Sequence, residues 1–441
     1  MTPAGILFTL VCAITLLLLP RRFAPLPLLL GTCYMPLGEA LIVGPFHFTV
    51  IRCLLGFGMT RLLLRGERPA GGLNRIDYLL IAWGGWALVS SAFHKLPGDY
   101  LVGQSGIVYN TLGIYFLIRS FCQSLEDLVL LVRITAVLLA PVALEMLNEV
   151  LTGHNLFSFL GGVLDLVTVR DDKFRAQGPF AHGILAGTVG AVCFPLMAGI
   201  WRSHPREARI GAAACVLMVA TSNSSGPLMS FVFAIFALVL WRWRHLTRQM
   251  RIAAVVGYIV LDMIMKAPAY FLIARIDLTG SSTGWHRAEL IQSSIRHLNE
   301  WWFAGTDYTR DWMPTGVTWS PDHTDITNHY LSYGVSGGLL MMGLFMAAMA
   351  VAFRYFGNAV AVLEEQGRFG AWFAWALGAA LFTHAATCIS VAYFDQSFVF
   401  LYLVIAAAGC VNAHVADYEG LERNANEEVE EAPITMSRSY H

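Results

Sequence analysis

Long apolar stretches separated by short polar connections run through nearly the whole chain. Each stretch carries few charges and is close to the roughly 20 residues that a helix needs to cross the hydrocarbon core of a bilayer. The stretches lie at 3–20, 23–44, 46–64, 77–93, 101–118, 126–147, 181–201, 208–221, 226–241, 252–274, 330–353, 370–388 and 393–412. The pattern predicts an all-α, polytopic transmembrane helical protein with about 12–13 spans.

Composition agrees with this pattern. The chain has 441 residues, of which 56% are hydrophobic and 13% are charged, and its mean hydropathy is +0.58. This number of charged residues is too small to cover the surface of a soluble protein. Membrane lipids are therefore expected partners. The formal net charge of −1 argues against a nucleic-acid partner.

The placement of arginine predicts which connections face the cytoplasm, because basic loops are retained on that side. Arginines cluster at 61–75, 202–209 and 242–251, which puts two long connections on the opposite, extracytoplasmic face. The acidic C-terminal segment then falls inside, and its composition predicts disorder. The expected organisation is 1–147 N-terminal transmembrane helices, 148–180 extracytoplasmic loop, 181–274 transmembrane helices, 275–329 large extracytoplasmic loop, 330–412 C-terminal transmembrane helices and 413–441 cytoplasmic tail.

The first extracytoplasmic loop ends in RDDKFRAQGPFAHG, at 170–183. Arg175 stands just before a predicted helix, and guanidinium groups and helix N-termini both bind phosphate oxygens. Taken alone, the segment favours a plainer interpretation in which its basic residues pair with Asp171 and Asp172. His182 either caps the following helix or takes part in a site.

The second loop contains WHRAELIQSSIRHLNEWWF, at 285–303. Apolar residues recur there at helical spacing, which predicts an amphipathic helix at the membrane interface, beginning within GSSTG at 280–284. The residues that carry this pattern are Ile291, Ile295, Leu298 and Trp302. Arg287 lies in the first turn, where it is either solvated or bound to a phosphate.

The stretch DHTDITNHYLSYGVSGG, at 322–338, joins this loop to the next span. A histidine beside a carboxylate can act as a general base. A zinc site would need a third fixed ligand that the spacing of His323 and His329 does not supply, so no metal is expected. All eight cysteines lie in spans or at their edges, which excludes a cysteine-based metal site in the loops. The chain has no nucleotide-binding or hydrolase motif, and no cofactor is expected.

At these residues the chain resembles the superfamily of O-antigen ligases and O-antigen or exopolysaccharide polymerases, which are membrane glycosyltransferases. RAQGPFAHGILAG at 175–187 looks like the family's Arg-x-x-Gly-x-Phe-x-His block. TSNSSGPLMSF at 221–231 is similar to a segment that contains Ser-Arg-Gly in the family, but the arginine is missing here. HTDITNHYLSYGVSG at 323–337 is similar to a histidine followed by Gly-x-x-Gly.

The resemblance implies a GT-C-like fold and a metal-independent, inverting transfer of a glycan from an undecaprenyl-diphosphate carrier to a sugar hydroxyl. It implies that Arg175 and Arg287 bind the diphosphate and that His323 is the base. Because Thr324 stands where the family has Asn, Ser or Gln, His329 after Asn328 remains an alternative base. The possible supporting residues are His182, Asp325, Asn328, Gly334 and Gly337.

The implied location is the inner membrane of a bacterium, with the active site on the periplasmic face. The departures from the ligase motifs favour repeat-unit polymerisation, with transfer to lipid A-core as the alternative. The partners would be the carrier-linked glycan donor, a glycan or lipid A-core acceptor, and polysaccharide assembly proteins.

A different class of function stays open, namely a transporter or flippase that binds the same lipid-linked glycan without chemistry. Such a protein would use ionisable residues inside its spans. The candidates are Glu39, Arg52, Glu145, Asp262 and Lys266.

Overall fold

A computed structural model describes residues 1–170, 172–275, 284–313, 320–366 and 368–431. The helices are α1 (Pro3–Leu18), α2 (Pro25–Tyr34), α3 (Val50–Arg65), α4 (Arg75–Ser90), α5 (Pro97–Phe121), α6 (Leu125–Thr152), α7 (Gly183–Gly199), α8 (Pro205–Thr221), α9 (Ser225–Val239), α10 (Thr247–Ile264), α11 (Gly284–Arg296), α12 (Leu298–Trp301), α13 (His329–Gln366), α14 (Arg368–Thr387) and α15 (Phe398–Glu431). Two antiparallel hairpins pair β1 (Ala40–Val43) with β2 (Phe46–Thr49), and β3 (Thr168–Arg170) with β4 (Lys173–Arg175).

The protein is an all-α, polytopic helical protein. Within the described ranges, seven helical segments are long and apolar enough to cross a membrane, and Pro3–Leu18 and Gly183–Gly199 are shorter apolar helices. The predicted count of 12–13 spans is therefore higher than the helix lengths support. The seven segments are Arg75–Phe93, Pro97–Phe121, Leu125–Thr152, Ser225–Ile264, His329–Glu365, Phe369–Thr387 and Phe398–Tyr418.

The apolar stretch 23–44 does not form the predicted span. Helix α2 ends at Tyr34, because Met35 is extended and the following residue, Pro36, disfavours helical backbone at the position before it. The chain then forms the β1–β2 hairpin, in which Gly44 has φ +58°. Apolar character alone could not separate this exposed hairpin from a helix.

Two further boundaries differ from the predictions. The stretch 252–274 breaks after Ile264, and the Asp262 carboxylate accepts the N–H of Ala269 at the chain reversal. The segment from 413 was predicted to be disordered, but α15 continues to Glu431. Its alanine, leucine and glutamate residues are good helix formers, and the next proline in the sequence is Pro433.

One end of the helices, called the loop end here, gathers the C-termini of α6, α8 and α14 and the N-termini of α7, α9 and α13. The Glu149 carboxylate at the end of α6 accepts the N–H groups of Gln177 and Gly178 at 2.8 and 2.5 Å. The Ala176 N–H donates to the carbonyl of Thr221 at the end of α8. The first loop, 148–180, therefore packs against the ends of α6 and α8 at the loop end.

The second loop packs onto the start of α13 through a small apolar core. Leu290 of α11 and Trp301 of α12 are buried there with Leu331 and Val335 of α13. The helix predicted within 285–303 forms as α11 followed by α12, while its predicted start at 280–283 lies outside the described residues. Several large apolar side chains of this segment are exposed, namely Trp285, Ile295, Leu298, Trp302 and Phe303.

Candidate functional site

The β3–β4 hairpin carries Arg175 into the loop end. Arg175 is buried, and its Nη2 donates to the hydroxyl of Ser224 at 2.9 Å. The Asn223 side chain donates to the carbonyl of Phe174 at 2.6 Å, which fixes the strand beside the start of α9. Asp171, one of the two carboxylates that the sequence offered as partners for these basic residues, lies outside the described residues.

Arg287 reaches the same place from α11. It is 9% exposed, and its Nε donates to the carbonyl of Ser390 at 3.1 Å. The guanidinium lies close to Gly226, because a methyl group on the Cα of Gly226 would lie 3.6 Å from Nη2 of Arg287, which is an ordinary contact distance. Arg175 and Arg287 therefore approach the same short segment, Ser224 to Gly226.

That segment is the N-terminus of α9. Ser224 is the N-cap residue, but its side chain does not cap the helix and instead accepts from Arg175. The first backbone N–H groups of a helix, together with its dipole, favour an anion at this end. Two guanidinium groups beside a helix N-terminus form a site suited to phosphate oxygens.

His182 lies close to this cationic site as the N-cap of α7. Its pKa is lowered to about 4, chiefly by burial and also by the charges of Arg175 and Arg170, against the opposite effect of Asp325. Its Nδ1 accepts the N–H of Ile184 at 3.1 Å, so the neutral ring carries its proton on Nε2. In this tautomer His182 can donate a hydrogen bond to a ligand but cannot act as the base.

Asp325 is the acidic member of the same group. Burial lowers the pKa of Arg287, the Asp325 carboxylate raises it, and the charge of Arg170 lowers it. The backbone carbonyl of Asp325 lies 3.2 Å from Nε2 of His286 on α11. The structure thus brings together four of the predicted site residues, namely Arg175, Arg287, His182 and Asp325.

The connection between α14 and α15 closes the site, and sequence reasoning missed it. Asp395 accepts the N–H groups of Ala181 and Ser397, each at 2.9 Å, and Gln396 donates to the carbonyl of Pro179 at 2.7 Å. Burial raises the pKa of the Asp395 carboxyl, and the hydrogen bonds that it accepts lower it. The signal was the polar triplet DQS at 395–397 within a predicted span.

His323 lies on the adjoining loop and is half-buried. Its Nδ1 lies 3.3 Å from the hydroxyl of Thr309, and its backbone N–H donates to the Ser320 hydroxyl at 3.1 Å. Thr309 is fully buried and also binds the backbone of Asp322 and Thr324. These contacts hold the turn that carries His323. None of them involves Arg175 or Arg287, which contact Ser224 and Ser390.

The Thr309 segment is anchored to the membrane helices by His94, a second residue that sequence reasoning missed. His94 follows α4, and its Nδ1 lies 2.7 Å from the Asp307 carboxylate while its Nε2 lies 3.1 Å from the carbonyl of Ala304. The N–H of Lys95 donates to the same carboxylate at 2.8 Å. Both ring nitrogens of His94 therefore contact the Ala304–Asp307 segment and tie it to the end of α4.

His329, the alternative base, lies in the helix core. Its ring is buried against Tyr333, Phe345 and Tyr393, and its Nδ1 accepts the N–H of Tyr393 at 3.3 Å. Asn328 caps α13 by accepting the N–H of Leu331 at 3.0 Å. The structure does not bring either residue to the arginines.

Gly334 and Gly337 serve close packing of α13. A Cβ on Gly334 would lie 2.6 Å from the Trp301 ring, and Gly337 and Gly338 interrupt the helical backbone. Gly338 has φ +75°, and a Cβ there would lie 2.1 Å from the carbonyl oxygen of Phe303. The Gly-x-x-Gly pattern thus marks where α12 and the chain after it approach α13.

Among the described residues, no three His, Cys, Asp or Glu side chains gather into a metal-binding group.

No protein-family model and no curated protein matches the chain.

Proposed function

We propose that the protein is a membrane glycosyltransferase of the O-antigen ligase and polymerase type. It would take a glycan from an undecaprenyl-diphosphate carrier and join it to a sugar hydroxyl on the periplasmic face of a bacterial inner membrane. The observation that carries the proposal is the approach of Arg175 and Arg287 to the N-terminus of α9.

The chemistry follows from the leaving group. The acceptor hydroxyl oxygen bonds to the anomeric carbon, the bond from that carbon to the diphosphate oxygen breaks, and undecaprenyl diphosphate leaves with the electron pair. Negative charge grows on the diphosphate as this bond breaks, so preorganised cations lower the barrier. Arg175, Arg287 and the first N–H groups of α9 supply that stabilisation, and Nε2 of His182 donates a further hydrogen bond.

The hydroxyl proton goes to His323. If Nδ1 of His323 donates to the Thr309 hydroxyl, Nε2 keeps its lone pair and can accept the proton. His329 is the weaker alternative, because the aromatic rings around it leave a sugar hydroxyl no approach. We expect His323→Ala to abolish transfer and His329→Ala to act mainly on folding; the reverse pattern would assign the base to His329.

Several contacts favour an enzyme over a flippase. Four of the ionisable residues that could line a transport path are held by the nearby chain: Glu39 accepts the N–H of Thr2, Glu145 that of Leu156 and Asp262 that of Ala269. Arg52 donates to Asn110 and to the carbonyl of His47. Side chains engaged in this way stabilise local structure.

The direct test is incubation of the purified protein with a synthetic undecaprenyl-diphosphate oligosaccharide. Chain growth would support a polymerase, and transfer to added lipid A-core would support a ligase. We favour the polymerase, in line with the departures from the ligase motifs. Movement of the intact lipid across vesicles with no new glycosidic bond would instead identify a flippase and contradict the proposal.

Metal independence is a separate expectation. Transfer should continue at an unchanged rate in EDTA, because the cationic site uses guanidinium and backbone N–H groups. Loss of transfer in EDTA and recovery with a divalent ion would show that the mechanism needs a metal.

A further inference from the structure

The β1–β2 hairpin has one face made entirely of large apolar side chains. Its strands are joined by Gly44 and Pro45, with Gly44 at φ +58°, which suits a two-residue turn with glycine first. The register pairs Leu41 with Phe48 and Val43 with Phe46. Directly paired residues, and residues two apart on a strand, share a face.

This apolar face is exposed. The side chains of Leu41, Val43, Phe46 and Phe48 are 51%, 53%, 46% and 38% exposed. The opposite face carries the pairs Ala40 with Thr49 and Ile42 with His47. Such a group of exposed rings and branched chains is costly in water, because apolar surface is more stable when it is removed from water.

The hairpin sits where α1 and α3 begin. The N-terminal amino group of Met1 donates to the carbonyl of Ala40, and the Glu39 carboxylate accepts the N–H of Thr2. Arg52 in the first turn of α3 donates to the carbonyl of His47 at 2.6 Å. Exposed apolar side chains continue along α1, at Ile6, Leu7, Leu10, Val11, Ile14 and Leu18.

Two demands limit where this hairpin can lie. The outer edges of a two-stranded sheet present backbone N–H and C=O groups that must reach water or headgroups, so the hairpin cannot lie within the hydrocarbon. Its apolar face needs a hydrocarbon surface. Both demands are met only at the boundary between headgroups and acyl chains.

We propose that the hairpin rests on the lipid surface at the loop end, with Leu41, Val43, Phe46 and Phe48 against the acyl chains and His47 towards water. The occupant of this face is phospholipid, because the face continues the exposed apolar surface of α1. The proposal does not depend on the proposed function.

The hairpin also sets a depth for the start of the connection that leads to Arg175. Gly38, just before β1, is packed against Gly162, and a Cβ on Gly38 would lie 2.1 Å from the Cα of Gly162. Gly162 belongs to the connection that leads into the β3–β4 hairpin and Arg175. A hairpin at the lipid boundary therefore places the start of that connection at headgroup level.

The test uses nitroxide labels on the two faces. Phe46→Cys and His47→Cys are made with Cys53→Ser, because Cys53 is the one cysteine that is not buried. The labelled proteins are placed in vesicles of phosphatidylethanolamine and phosphatidylglycerol, and collisions with oxygen and with a water-soluble nickel chelate are measured. We expect a several-fold higher ratio of oxygen to nickel collisions at 46 than at 47.

Val43→Cys and Ile42→Cys repeat the comparison with smaller replacements in the other strand. Equal access of the nickel chelate to both faces would place the hairpin in water and overturn the proposal. Shielding of position 46 from both reagents, with broadening between labels, would mean that a second copy covers the face, which also overturns it.

Discussion

Two buried arginines at opposite ends of the molecule have very different surroundings. Arg119, at the end of α5, is 0% exposed and donates to the carbonyls of Ala70 and Gly72, each at 2.9 Å, and to both oxygens of the buried Asp77. Arg287, at the loop end, is 9% exposed, and within the described part of the chain its hydrogen bond is the one from Nε to Ser390.

The difference indicates a structural role for Arg119 and is consistent with the ligand-binding role proposed for Arg287. A guanidinium whose donors are all used by the chain joins segments, and its loss leaves a buried charge behind. A guanidinium held by Nε alone keeps the planar edge that binds carboxylates and phosphates in pairs of hydrogen bonds. Arg287 is thus positioned for a ligand, at the cost of burying charge.

The largest effect is expected at Arg119. Arg119→Ala would leave Asp77 buried without its cation and cost about 3–5 kcal/mol of stability. The yield of folded protein in detergent and its apparent unfolding temperature would measure this. Arg206→Ala, an exposed arginine at the start of α8, is the control and should have no effect; equal losses in both variants would contradict the structural role.

Arg287→Ala should do the opposite and leave folding intact. Removing one preorganised donor to a developing negative charge lowers transfer on the order of 100-fold, with an unchanged unfolding temperature. Arg296→Ala is the matched control, because Arg296 lies on the same helix, is largely exposed and pairs with Glu289. Full transfer activity in Arg287→Ala would contradict the role proposed for Arg287, and with it the contrast between Arg287 and Arg119.

A substitution of Asp395 tests whether some residues at the loop end serve only to stabilise the fold. Asp395→Asn would turn one of its two acceptor oxygens into an N–H donor that faces another N–H, which costs about 1–3 kcal/mol. The unfolding temperature should fall while the remaining folded protein transfers at the normal rate. The exposed Asp322→Asn is the control; a specific loss of transfer in Asp395→Asn would assign Asp395 to the chemistry.

The fourth prediction is a pH dependence that arises from His182. The unfolded chain takes up this proton near the ordinary pKa of about 6.5, but the folded protein does so only at a pKa of about 4. The stability present above pH 6.5 is therefore lost as the pH falls towards 4. Unfolding temperatures should fall more steeply for the wild type than for His182→Asn, which can still cap α7; parallel curves would contradict this assignment.

The sequence was informative about features that depend on residues close together in the chain. Hydropathy predicted most of the long helices, and the spacing of apolar residues predicted α11. Arg175 and Arg287 were both singled out in the sequence, and the structure brings them to the same short segment. Arg175 and Arg287 are easy to recognise in the sequence, because a charged residue near an apolar stretch differs from its neighbours.

The sequence was uninformative about features that depend on how distant segments of the chain pack together. The hydrogen bonds of Asp395 to Ala181 and of His94 to Asp307 join segments that are far apart in the chain. The buried position of His329 follows from aromatic rings on α13 and on the connection before α15. The exposed face of the β1–β2 hairpin depends on a register that hydropathy does not encode.

The most direct test of the cationic site is the binding of undecaprenyl diphosphate compared with undecaprenol, which shares the tail but lacks the phosphates. Tryptophan fluorescence or calorimetry in detergent would follow both ligands with the wild type, Arg287→Ala and Arg296→Ala. We predict that the wild type and Arg296→Ala prefer the diphosphate, and that Arg287→Ala loses most of this preference while Arg175 and the α9 N-terminus retain part of it. An unchanged preference for the diphosphate in Arg287→Ala would contradict the assignment of this site.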